Sequence, residues 1–285
     1  MLELYFSSDK EAIQFCEQLF QYNKQIELHW KTHAEWGNRL LLDDKNATYN
    51  MQDGMVKAMM DVFMIYRLTP MMKDVITKKY YYSTHEEIER ILDLTNWIFS
   101  GDDADSLDLR NSEDPVEMLQ ALFYSNMNVL KAIHFDSIIQ FRMEPFKKLI
   151  TDYVGLAIDE FKREEDHQTF LNTIREYVKN RGKSHSTIHV LQGDTFTFFR
   201  NNGNHIPKRE LRHIIQNEPL YLVGLGSNEW NLSPLIALKP ERIVIYGRDP
   251  SESKTLTVMN VFDERAKWLP IHQFPFSLNG LHKQM

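Results

Sequence analysis

Hydrophobic and polar positions along this 285-residue chain change their period twice. Leu2, Leu4 and Phe6 repeat every second residue, the pattern of a half-buried strand. Ser8 and Asp9 then offer caps for a helix whose apolar stripe is Ile13, Phe15, Cys16, Leu19 and Phe20. Extended runs over 26–31 and 39–42, joined by a polar segment holding Gly37 and Asn38, complete a small βαββ unit over residues 1–48.

From 49 to 182 the period becomes 3.6, and a helical body is predicted. Met55, Met59, Met60, Phe63 and Met64 line a first helix, which Pro70 is expected to break or restart. Ser83 and Thr84, each followed three residues on by a glutamate, open a second that buries Ile88, Ile91, Leu92, Thr95, Ile98 and Phe99 and stops at Gly101. Asp114-Pro115 begins a third, with Leu119, Leu122, Phe123, Met127 and Leu130 on its stripe. Pro145 begins a fourth, which runs through Phe146, Ile150, Tyr153, Ala157 and Phe161. A fifth carries Phe170, Leu171, Ile174, Tyr177 and Val178 and closes at Arg181-Gly182.

Period two returns over 183–285. Runs 187–191 and 195–200, parted by Gln192-Gly193-Asp194, read as a hairpin, with Phe196 and Phe198 on one face and Phe199 on the other. A turn at 201–204 leads to helical spacing from Pro207 to Ile215. An apolar helix around 232–238, a strand at 242–246, a helix at 252–264 and a strand at 267–269 then make a parallel pair with a helical crossover. From Gln273 onward a loose tail is expected. The whole reads as a predominantly helical α+β chain: a βαββ start, a helical bundle, then a hairpin and a short α/β block, interlocked as one body, with two lobes as the alternative.

Composition narrows the class. With 42% apolar and 26% charged residues the chain is globular, and its one cysteine, Cys16, supplies neither an intramolecular disulfide nor a multi-cysteine zinc site. A reducing cytoplasm is the expected location. The longest apolar stretch, 219–225, is far too short to span a bilayer, so no membrane span is expected.

Three segments carry a resemblance: Ile138 to Val178 with its Phe141-Arg142 pair and Ala157-Ile158-Asp159-Glu160-Phe161, the hairpin Ile188 to Ile206, and Leu232 to Gly247 with Pro240-Glu241-Arg242-Ile243-Val244-Ile245-Tyr246. Together, in that order, they resemble the YtxC-like family of sporulation proteins. The resemblance implies an endospore-forming bacterium and a link to sporulation; it carries over no catalytic residue and no cofactor.

Charge is strongly segregated. Between 86 and 117 eleven acids face two arginines, a net −9, read as a solvated mobile loop around Asp102, Asp103, Asp105 and Asp108, whose spacing does not fit an EF-hand. Between 179 and 212 seven bases face Asp194 and Glu210, a net +5. Lys183, Phe198, Arg200, Lys208, Arg209 and Arg212 are the candidate surface for a protein partner, and with interleaved phenylalanines the same surface could take nucleic acid. A third class, a small-molecule or nucleotide-binding enzyme, would use Gly224, Gly226 and Ser227 as an anion-cradling turn, or Arg248 just past the strand 242–246. That turn lacks the third glycine of a dinucleotide fingerprint and the lysine of a P-loop. His185, His189, His205 and His213 are read as surface residues rather than metal ligands, since His185 and His189 would stand about 13 Å apart on a strand. No catalytic residue, metal or cofactor is assigned. Seven methionines between 51 and 72 read as core packing or as an adaptable partner groove. A non-enzymatic interaction or regulatory protein is the favoured reading.

Overall fold

A computed structural model describes residues 2–22, 26–42, 49–110, 114–127, 132–182, 184–226 and 229–276, with backbone alone at 49 and 50. Two compact units divide the chain, Met1–Arg163 and Glu164–Met285, and their boundary falls within the helix Glu144–Lys179. As the periods predict, the architecture is α+β and predominantly helical, and each unit holds one four-stranded sheet among its described residues.

In the first unit the strands β1 (Leu2–Phe6), β2 (Leu28–His33), β3 (Gly37–Leu42) and β4 (Ala132–His134) lie in the order β2-β3-β1-β4. β3 runs antiparallel to both β1 and β2, so those two point the same way with β3 between them. The register sets Leu4 opposite Leu40 and Leu2 opposite Leu42, which puts the leucines on one face. Helix Asp9–Tyr22 buries Ala12, Phe15, Cys16 and Leu19 there. β4, which the periodicity does not predict, runs parallel to β1 with Ile133 opposite Leu4. It is three residues long and leads straight into helix Phe135–Phe141, too short for alternation to register.

Two helical expectations are corrected. Pro70 does not end its helix: the backbone stays helical at Leu68 and Thr69, and a π-turn, Met64–Leu68, sits immediately before it. Proline removes one amide and crowds the carbonyl four residues back, which here lies in the wider π-turn. A second π-turn, Val75–Lys79, closes the rod. The predicted fourth and fifth helices are one helix, Glu144–Lys179, because the polar run 162–169 between their stripes has neither glycine nor proline to stop it. The methionine stripe is mostly core, with Met51, Met55, Met59 and Met72 buried. Phe63, fully buried, meets Phe123 and Phe146 at 6.4 and 5.4 Å; each such ring contributes roughly 1.5–3 kcal/mol by burial. Leu130 lies outside the described residues.

The acidic segment also differs from its reading. Its described residues include a short helix, Ala104–Leu109, opened by a reciprocal capping box between Asp103 and the fully buried Ser106. Trp97 Nε1 donates to Asp103 at 2.8 Å, and Arg110, buried, donates to the Ser100 carbonyl at 3.0 Å. Hydrogen bonds from the Ser106 amide, Trp97 and the Ser106 hydroxyl hold the Asp103 carboxyl below its ordinary range. Glu113 lies outside the described residues.

In the second unit β5 (Ser184–Leu191), β6 (Thr197–Arg200), β7 (Pro240–Gly247) and β8 (Ala266–Pro270) lie in the order β6-β5-β7-β8. β5, β7 and β8 are parallel and β6 is the antiparallel arm of the hairpin. Helices Lys208–Gln216, Ser233–Leu238 and Ser253–Phe262 share one core with Ile188, Val190, Phe198, Ile243 and Ile245. The alternate residues Leu191, Phe199 and Tyr246 form a separate cluster, which Ile271 and Phe274 cover. The segment from Gln273 is therefore not loose as far as Phe276: Phe274 lies 5.1 Å from both Phe199 and Tyr246, and Phe276 meets His189 edge-on at 5.0 Å.

Candidate interaction surface

The hairpin and the helix after it build the surface. Beyond Arg200 the chain reverses through Asn201–Asn204, where Gly203 takes φ +82°, a conformation that favours glycine, and donates its amide to the Arg200 carbonyl at 2.9 Å. Ile206 N–H then bonds the Phe198 carbonyl at 2.8 Å, and Pro207 leads into helix Lys208–Gln216. That helix buries Leu211 and Ile215, exposes Arg209 and His213 on its far side and Arg212 on its flank, and leaves Lys208 exposed in its first turn. Its apolar positions at i and i+4 fix which charges face outward.

Among the described residues Lys208 and Arg209 have no carboxylate partner. Arg200 pairs with Glu210, and Arg212 lies 5.6 Å from the centre of the Trp230 ring. Arg181 pairs with Glu218, which also holds Lys239 at 2.7 Å, so part of the positive charge counted from sequence is neutralised by an acid beyond the counted window. Phe198 is a correction: 2% exposed, it packs inside the sheet and reaches no surface, because its side chain shares the inner face with Ile188 and Val190. Lys183 lies outside the described residues.

Beside Arg200 the sheet leaves a depression of about 580 Å³ lined by Ser184, Ser186, Thr187, Arg200, Asn201 and Asn202. Its origin is the mismatch of strand lengths. β6 has four residues and pairs only with Ile188 to Leu191, so among the described residues the first half of β5 has no strand on that edge. The lining offers hydroxyls, amides and one guanidinium, groups that bind polar or anionic partners by hydrogen bonds. Ser184, Ser186, Asn201 and Asn202 escape a sequence reading because nothing local distinguishes them from other turn residues.

The described atoms of the anion-cradle candidates are engaged within the chain. Gly224, at φ +74°, donates its amide to the Tyr221 carbonyl at 3.2 Å, and Gly226 presents its carbonyl, which accepts from Glu229 N–H at 3.2 Å and Ser233 Oγ at 3.4 Å. Ser227 lies outside the described residues. Arg248 is exposed past β7, but the crevice there is filled by the Gln192 side chain. Gln192 Oε1 accepts from the Arg248 amide at 2.9 Å, and Nε2 donates to the Asp249 carbonyl at 2.7 Å and to Thr255 Oγ1 at 2.6 Å. A Cβ on Gly247 would fall 1.4 Å from Gln192 Oε1, so glycine is what admits the plug.

The histidines of this unit are dispersed. His185 is exposed near Glu241 at 3.6 Å and His205 packs edge-on to Phe199, but His189, expected at the surface, is buried in the sheet, where it shares a hydrogen bond with Tyr246 Oη at 3.0 Å. Burial lowers the His189 pKa from its ordinary value, against an opposing hydrogen bond with Asn201. Among the described residues no group of three His, Cys, Asp or Glu side chains could hold a metal ion. No helix is long and apolar enough to cross a membrane, again among the described residues. Cys16 is a core residue of the first unit whose thiol burial pushes up to about 11.

A family model described as "YtxC-like family" matches residues 54–267. The "Uncharacterized protein YtxC" of Bacillus subtilis (strain 168) is 25% identical over 292 aligned positions, which cover 96% of each chain. No solved structure matches.

Proposed function

The chain belongs to the YtxC-like family, and from that premise we propose that it is a non-enzymatic interaction or regulatory factor of the cytoplasm of sporulating cells, which holds an acidic protein partner on the hairpin surface. The observation that carries this reading is the exposed, carboxylate-free pair Lys208 and Arg209, on the same helix as Arg212 and next to the polar depression at Arg200. Such a rim speeds encounter and selects partners of opposite charge. Among the described residues the part of β5 before Ile188 has no strand on the β6 side, so its backbone groups are available to the partner.

The test is affinity purification from sporulating cells of the wild-type chain and of K208E/R209E/R212E, with nuclease treatment as a separate arm. The expected outcome is a specific protein, retained after nuclease and reduced about tenfold or more by the triple reversal. A partner bound equally by both chains would overturn the surface assignment. Loss on nuclease treatment, with affinity falling steeply with salt, would move the surface to nucleic acid.

A further inference from the structure

The first unit carries a groove of about 530 Å³ that the hairpin reading does not use. One wall is the end of the helical rod, where Pro70, Met71 and Val75 are exposed or half-buried; Ile139, and Lys147 with Thr151, form the other. Its floor is thus apolar and its rim basic. Lys78 is paired with Asp74 at 2.8 Å, and Arg67, at one end, is satisfied by Glu11 and Asp136. Lys79 and Lys147 have no carboxylate partner among the described residues; Lys147 Nζ instead donates to the Gln140 carbonyl at 3.1 Å. Phe141, the residue after that carbonyl, is 72% exposed. It sits two residues from Ile139 on the same helix and so faces away from it, and the groove's apolar lining is Pro70, Met71, Val75 and Ile139 alone.

The dimensions and charge define what fits. From Pro70 to Lys78 the helical wall advances eight residues, about 12 Å, or roughly two turns of a second helix laid alongside. We propose that this groove docks an acidic amphipathic α-helix of a protein partner, with two apolar side chains three or four residues apart on Met71, Val75 and Ile139 and carboxylates against Lys79 and Lys147. Charge complementarity selects that occupant: an uncharged apolar helix would leave both lysines unmatched, and a basic one would meet like charge. The inference does not rest on the hairpin surface, which lies in the other unit.

A phage-displayed library of 12-residue peptides, panned against the full chain, tests it, with fluorescence anisotropy of the enriched peptides on wild type, K79E/K147E and K208E/R209E. Both double variants change only surface lysines and arginine, so a folded circular-dichroism spectrum is expected of each. The proposal expects net-acidic peptides with apolar residues three or four apart, whose affinity falls about tenfold or more in K79E/K147E and is unchanged in K208E/R209E. Net-basic peptides, affinities indifferent to K79E/K147E, or affinities that depend on Lys208 and Arg209 would overturn it. So would a failure to enrich any peptide, whether or not phosphatidylglycerol vesicles then bind through Lys79 and Lys147.

Discussion

Each unit backs one sheet with helices, and the two satisfy the polar groups of their interiors by different means. In the first, Glu11 is 3% exposed and receives both Nε and Nη2 of Arg67; the same Nη2 reaches Asp136 at 2.6 Å, and Asp136 accepts from the Ser7 amide and hydroxyl. One guanidinium, held in the π-turn Met64–Leu68, therefore ties helix Asp9–Tyr22, the end of β1 and helix Phe135–Phe141 together. In the second unit the polar groups past β7 and inside the sheet are met by neutral partners, Gln192 bonding to three residues and His189 to Tyr246, while its ionic cluster, Glu218 with Arg181 and Lys239, is more exposed than Glu11. A buried charge concentrates dependence on its counter-charge, whereas neutral hydrogen bonds spread it over several small contributions.

The sharpest test of that contrast is Arg67→Met. It leaves the Glu11 carboxylate buried without its cation, and the first unit should lose about 3 kcal/mol in urea denaturation. Adding Glu11→Leu should recover most of the loss, since the cost is the orphaned charge. A loss under about 1 kcal/mol would erase the difference between the units.

A smaller effect is expected at the plug. Gln192→Ala should cost the second unit roughly 1–2 kcal/mol and speed hydrogen exchange at the Arg248 amide. Gly247→Ala alone should cost a similar amount by evicting the side chain, and little more once Gln192 is already alanine. Strict additivity of the two would show that they do not share one contact.

The smallest effect is the pH response of His189. Burial keeps its native pKa below the ordinary 6.5, so between the two values the unfolded chain binds the proton and the native chain does not. Stability of the second unit is thus complete above pH 6.5 and declines as pH falls below it, a slope that His189→Gln should flatten. An unchanged slope in that variant would assign the response to other groups.

Period two alone makes much of the sheet architecture legible in the sequence. The alternation Leu2, Leu4, Phe6 and the division of Phe198 from Phe199 across the second sheet follow from it, and the structure places all five accordingly. The candidate surface is legible only as a charge count. The count takes in Arg181 and Arg200, which are paired, and the candidate surface built on it takes in Phe198, which is core; both pass over the serines and asparagines that shape the depression. Pro70 misleads because proline's cost falls on the carbonyl four residues back, which the π-turn Met64–Leu68 already displaces from the regular helical ladder.

The amino-acid sequence by itself determined the order and type of most elements, though not β4 or the helices Ala104–Leu109 and Phe135–Phe141. It also determined most inward faces, Ile13 and Phe20 being exposed, and the separation of a −9 segment from a +5 one. These properties depend on residues within a few positions of one another, where backbone geometry dictates the period. Tertiary structure alone decided that β4 completes the first sheet, that Gln192 fills the crevice past β7, and that Lys208, Arg209, Lys79 and Lys147 keep their charges free of a carboxylate among the described residues. Those outcomes join residues such as Arg67 and Asp136 or Gln192 and Asp249, which the chain brings together across 69 and 57 positions, and only the packing of the finished cores sets which partners meet.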